Sequence, residues 1–239
     1  MAGTDLLGNF AILATEPDAR FWLGPIPVSD AVITMWVIMA VMILASLLLT
    51  RRLERIPASR GQALAEVVVE GLLGLVSQQM DGQRARRYVP LLGTVFLFIL
   101  ISNFSGMLPG AGMLPGFLPP TSVWGVTLGL AVVIAVSVQI FGIQTKGLAH
   151  FRHLFQPLFL APIMFILGIV EELVRPFSLS VRLFANVYAG ETLLSRLLES
   201  IPYGLPLLIM GLELILGAIQ ALIFTLLSTL YIASATAED

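Results

Sequence analysis

Hydrophobic positions in this chain fall in long unbroken blocks, with little of the alternating or 3.6-residue striping that a soluble fold requires. Ala31 to Thr50 reads AVITMWVIMAVMILASLLLT, twenty residues without a charge. At 1.5 Å per residue such a helix matches the roughly 30 Å hydrocarbon core of a bilayer, so residues 30–50 are predicted as a first span. Similar blocks predict a second span at 88–108 and a third at 122–144. From 157 to 236 the chain is almost continuously apolar and is broken only by IPYGLP at 201–206, which predicts two long helices joined as a hairpin. Residues 61–81 follow a different pattern. Glu66, Glu70 and Ser77 share one side of a helix, while Leu64, Val67, Val68, Leu72 and Val76 cover much of the other. This amphipathic helix lies either in the membrane interface or against a soluble face of the protein itself.

Composition supports the bilayer as solvent. Of 239 residues, 57% are hydrophobic and 12% charged, against about 45–50% and about 25% in soluble domains. The expected fold class is therefore all-α integral membrane: five transmembrane helices plus one interfacial amphipathic helix, with 1–239 a single membrane domain. The absence of cysteine excludes disulfides, thiolate metal sites and cysteine nucleophiles. A net charge of -2 gives no reason to expect nucleic acid. Residues 1–29 are expected as an N-terminal tail on the outer side. The first twenty-two lack a basic start, an apolar run and a small-residue cleavage site, so no removable signal peptide is read there. Orientation follows from the cations. Nine of thirteen (Arg51, Arg52, Arg55, Arg60, Arg84, Arg86, Arg87, Lys146, Arg152) lie in two connections that five spans put on one side, whereas 109–122 and 201–206 carry none. Lys and Arg resist translocation, which puts the N-terminus outside and the C-terminus in the cytoplasm.

The chemistry is concentrated in GIVEELVRPFSLSVRLFANVYAGETLLSRLLES, residues 168–200. Arg182 stands in an apolar helix, where a cation costs about 2.5–3.5 kcal/mol on insertion scales. At 100° per residue, Glu171, Arg175, Ser178, Arg182 and Asn186 form one narrow polar stripe. Glu171 and Arg175 are spaced to pair as i,i+4 neighbours. Arg182 has no acid three or four residues away, so its partner comes from another helix of this chain or from another chain. Glu191, nine residues further on, projects from the opposite side of the helix. On the last helix Glu213, Gln220 and Tyr231 form a second polar stripe. A lone intramembrane Gln usually bonds a neighbouring helix, whereas Glu213, without a local cation, is a group able to take up and release protons. If 169–199 is all helical, it spans roughly 46 Å, so the segment tilts, kinks at Pro176 or protrudes.

RPFSLSVRLFANVYAGETLL together with GAIQALIFTLLSTLYIA closely resembles subunit a of the membrane (Fo) sector of F-type ATP synthases. The strong match covers about eighty residues, Pro157 to Ala235. The resemblance implies that the terminal hairpin is slanted against a rotating c-ring and that Arg182 is the stator arginine facing the rotor carboxylates. It implies that Asn186 and Gln220 accompany Arg182, with Ser178 and Tyr231 as lesser members and Arg175 and Glu171 on the same secondary track. It puts Glu191 and Glu213 in the outer aqueous half-channel, where many relatives carry one His and one acid. Relatives often have Gly where Ala185 stands, and some have an acid where SNFSGMLPG offers only Asn103 and Ser105. The implied activity is translocation of protons or sodium ions through two half-channels, coupled to rotor rotation and ATP synthesis. The implied partners are the c-ring, peripheral-stalk b subunits and membrane lipid, in a bacterial cytoplasmic (inner) membrane.

No GxxxxGK[ST] phosphate loop is present, so no bond-making catalytic residue and no cofactor is expected in this chain. His150 and His153 share a helix face, but in KGLAHFRHLF they read as headgroup contacts rather than metal ligands, and no metal is expected. Two other readings compete. A self-contained ion channel or transporter would put Arg182 in its own path, and a structural anchor would use the polar stripes for packing alone.

Overall fold

The computed structural model describes residues 21–23, 26–51, 60–107, 118–147, 161–200 and 204–237. Two short strands, β1 (Phe21–Leu23) and β2 (Ile26–Val28), pair antiparallel with Phe21 opposite Val28 and Leu23 opposite Ile26. The sequence reading had only a tail here. FWL and IPV are rich in the aromatic and branched residues that fit a pleated ribbon, although six residues are too few for a periodicity to show. The rest of the tail, the loops at 109–117 and 201–203, and His150 and His153 lie outside the described residues.

Apart from this hairpin and a 3-10 turn at Pro120–Ser122, every described element is an α-helix. They are α1 (Asp30–Thr50), α2 (Arg60–Ser77), α3 (Gly82–Ser105), α4 (Trp124–Lys146), α5 (Ala161–Ser200) and α6 (Leu205–Thr236). Helices α1, α3, α4 and α6 are long and apolar enough to cross a membrane. The longest helix, α5, has 40 residues but carries Glu171, Glu172, Arg175, Arg182, Glu191 and Arg196. Gly147, just after α4, and Gly204, just before α6, have φ 60 and 80, a region that side chains disfavour.

The exterior is oily, and the interior mixes large apolar residues such as Tyr88, Leu92, Ile99 and Phe224 with polar ones. Leu47, Leu48, Val133 and Leu207 are exposed, while Ser102, Thr127, Ser180, Ser228 and Thr229 are buried. Exposed leucines and buried hydroxyls suit a hydrocarbon solvent, in which small residues and hydrogen bonds contribute to helix association. Buried hydroxyls of α6 cost little, because each bonds a carbonyl one turn back: Thr225 to Ala221, Ser228 to Phe224, Thr229 to Thr225 and Thr236 to Ile232, at 2.7–2.9 Å. Small side chains at three- and four-residue spacing then let α6 lie closely against α3.

This antiparallel pair is pinned at both ends. Arg84 Nη1 donates to the Thr236 carbonyl at 3.0 Å, and Asn103 Nδ2 donates to the Gly217 carbonyl at 3.0 Å. Between the pins α6 buries Gln220, Ala221, Phe224, Ser228 and Ile232; before Gly217 it buries only Pro206. In α2 the apolar Leu64, Val67, Val68 and Val69 are exposed, as are Glu70 and Ser77, while Gln62 is buried and bonded to Glu66.

Candidate functional site

On α5, Glu171, Ser178 and Arg182 are exposed, whereas Leu179, Ser180 and Leu183 are buried. The i,i+4 pair of Glu171 and Arg175 forms. Arg175 also lies 3.8 Å from Glu172, and its guanidinium sits 5.2 Å from the centre of the Tyr231 ring. Tyr231, grouped by its spacing with Glu213 and Gln220, is thus turned toward Arg175. Glu172 was not singled out from the sequence; it accepts a hydrogen bond from Gln139 Nε2 on α4 at 2.6 Å. The uncompensated amide of Gln139 in an otherwise apolar block was the available signal.

Arg182 differs. Among the described residues it has no ion pair and no hydrogen bond, and its side chain emerges from the outer face of α5. The carboxylate expected to answer this charge is therefore not found among the described residues.

Glu191 and Glu213 come together across α5 and α6. Both line a cavity of about 230 Å³ with Asn186, Asn103, Gly190 and Gly217. One oxygen of each carboxylate, Oε1, is buried without a hydrogen-bond partner among the described residues, as is Nε2 of Gln220. Buried polar atoms are rarely left so, and a polar cavity bordered by orphaned oxygens has the chemistry to accept water or protons. Asn186 reaches the same cavity although it belongs to the Arg182 stripe. Asn103 is anchored by its bond to Gly217 and by the Thr121 hydroxyl, which donates to its Oδ1 at 2.9 Å. No group of three or more His, Cys, Asp or Glu residues capable of holding a metal occurs among the described residues.

Gly190 was missed in the sequence. A Cβ there would overlap the Glu213 carboxylate, with Cδ at 2.9 Å, so glycine lets the acid lie on the α5 backbone. Gly190→Val is expected to displace the Glu213 carboxylate from the cavity, and Gly190→Ala to do so less, which structures of the two variants would show.

An oily exterior and several helices able to cross a bilayer define a multi-pass helical membrane protein, with a polar cavity between α5 and α6. The family model described as ATP synthase A chain matches residues 32–233. The chain is 42% identical over 220 residues to ATP synthase subunit a of Moorella thermoacetica, covering 92% of this chain and 96% of that protein. It is 37% identical over 215 residues to ATP synthase subunit a 2 of a Bradyrhizobium species, covering 90% and 92%. With ATP synthase subunit a of Geobacter sulfurreducens the identity is 35% over 224 residues, covering 92% and 94%. The chain belongs to the ATP synthase A chain family.

Proposed function

We propose that this chain is subunit a of an F-type ATP synthase in a bacterial cytoplasmic membrane, the stationary half of a rotary ion motor. The observation that carries the reading is Arg182: a permanent cation displayed outward from a helix of a membrane protein, unanswered among the described residues. Guanidinium does not deprotonate in proteins. Arg182 can therefore attract an ionised carboxylate on a neighbouring rotor and block leakage, but it cannot ferry the proton. A self-contained channel would instead turn this charge toward its own path.

In this reading residues 1–239 form one membrane domain with five crossings, α1, α3, α4, α5 and α6. At 1.5 Å per residue α5 and α6 are roughly 60 and 48 Å long, so they cross as a slanted hairpin beside the c-ring. The exposed apolar face of α2 rests in the interface. The cation-rich connections face the cytoplasm, so the N-terminus is outside and the C-terminus inside. Ions, protons or sodium, enter from outside through the cavity of Glu191 and Glu213, neutralise a rotor carboxylate opposite Arg182, Asn186 and Gln220, and leave on the cytoplasmic side after nearly a full turn. Ser178, Tyr231, Arg175 and Glu171 line the secondary track. Each charge crossing 100 mV yields about 2.3 kcal/mol, so several must pass for each ATP made in the soluble head. Peripheral-stalk b subunits hold this chain stationary.

Purification from native membranes tests the assignment. The chain is expected to copurify with a ring of small helical-hairpin proteins bearing a mid-membrane acid, with b subunits and with a soluble ATPase. Isolation as a homo-oligomer that conducts ions alone would overturn it.

A further inference from the structure

Among the described residues Arg182 has no hydrogen bond or ion pair that fixes where it points, so its direction depends on the rotation of α5 about its axis. That rotation is exposed to error, because Pro176 removes one backbone hydrogen bond six residues earlier. The opposite face of the helix carries a compensating arrangement. Ser180, fully buried, lies two residues before Arg182 and about 200° around the helix. Its Oγ accepts the indole N–H of Trp124 at 3.1 Å and lies 3.3 Å from Thr127 Oγ1. Thr127 Oγ1 donates to the Trp124 carbonyl at 3.0 Å. A threonine hydroxyl has one hydrogen, so the Ser180 hydroxyl must be the donor to Thr127. The three donors therefore form a closed circuit: indole to serine, serine to threonine, threonine to the tryptophan carbonyl. The Trp124 ring also meets the edge of Phe177 at 6.2 Å and 80°, gripping α5 one turn earlier.

We propose that the Trp124–Ser180–Thr127 circuit is a rotational lock on α5 that aims Arg182 outward, making these three residues positioning residues for ion translocation. The proposal rests on the function given above. Swinging α5 by about 30° would carry a side-chain tip on its roughly 6 Å radius through about 3 Å, enough to separate a guanidinium from a carboxylate. The buried apolar neighbours Leu179 and Leu183 resist separation of the helices, but they are non-directional and do not define an angle. The hydrogen bonds do.

The intact ATP synthase carrying Ser180→Ala, Thr127→Val or Trp124→Phe, reconstituted in lipid vesicles, tests this. Protons pumped per ATP hydrolysed, normalised to assembled complex, are expected to fall by about tenfold in Ser180→Ala and less in the other two. Thr127→Ser keeps the hydroxyl and is expected to restore the ratio, which a loss of packing alone would not allow. The chain has no cysteine, so Ala185→Cys, on the Arg182 side of the helix, can be cross-linked to a single cysteine placed on the rotor. Its yield is expected to fall alongside the pumping ratio in Ser180→Ala. Wild-type pumping ratios and cross-linking in all three lock variants would overturn the proposal. Arg182→Ala is assayed in parallel. If it too pumps normally the functional reading itself fails, whereas an inactive Arg182→Ala beside fully coupled lock variants rejects the lock alone.

Discussion

Arg182→Ala is expected to abolish ATP-driven ion pumping in reconstituted vesicles while leaving assembly of the complex intact. Both halves follow from the same geometry. Removing one partner of a buried ion pair costs about 3–5 kcal/mol because the other charge is stranded. Arg182 strands none, as it is exposed and has no ion-pair partner among the described residues. Its removal should relieve the insertion cost of an intramembrane cation rather than destabilise the fold. What disappears is the only permanently charged group that the outer face of α5 offers between Arg175 and Arg196. On the proposed reading, a rotor carboxylate then has nothing to draw it from lipid in its ionised form, and the barrier between the two half-channels is lost. Quenching of a pH-sensitive dye reads pumping, and gel electrophoresis of the purified complex reads assembly. Normal pumping by the variant would end the motor interpretation.

The second large effect is expected at the cavity. Glu191→Gln and Glu213→Gln should each slow passive proton flux through the membrane sector by about tenfold, and the double variant further, as removal of a positioned acid–base group commonly does. The substitutions keep side-chain volume, so the cavity of about 230 Å³ retains its shape. They replace one carboxylate oxygen with an amide that cannot exchange a proton. Because both carboxylates border the same cavity, the two changes are expected to be non-additive. Flux is measured after the soluble head has been stripped from vesicles under an imposed potential. Unchanged flux in both single variants and in the double would remove the acids from the path.

Much of this molecule is written locally in the sequence. Lengths of uncharged residues place the helices, and the i,i+4 spacing of Glu171 and Arg175 predicts their ion pair. An arginine, two glutamates and a glutamine inside apolar blocks announce themselves by type alone. What depends on how helices dock was not legible. Nothing in 160–236 says that Glu213 will rest on the backbone of Gly190, or that Tyr231 will face Arg175 rather than follow Gln220. Ser180 reads as a neutral small residue until Trp124 and Thr127 are brought beside it from 53 and more positions away. Helix ends also differ from span ends. Gly82 begins α3 six residues before the apolar block, because Arg84, Arg86 and Arg87 are good helix formers that need no lipid.

The two pins between α3 and α6 limit how these helices can move against each other. Arg84 and Asn103 are nineteen residues apart on α3, and their acceptors Gly217 and Thr236 are nineteen apart on α6. Equal spans bolt the two rods like a splint, so neither can slide along the other without breaking a bolt. The twelve residues Leu205–Leu216 run past the Asn103–Gly217 bond, and there α6 lies against α5, with Glu213 on the Gly190 backbone. Sliding of α6 along α3 is thereby resisted at two points, whereas the stretch that carries Glu213 takes its support from α5.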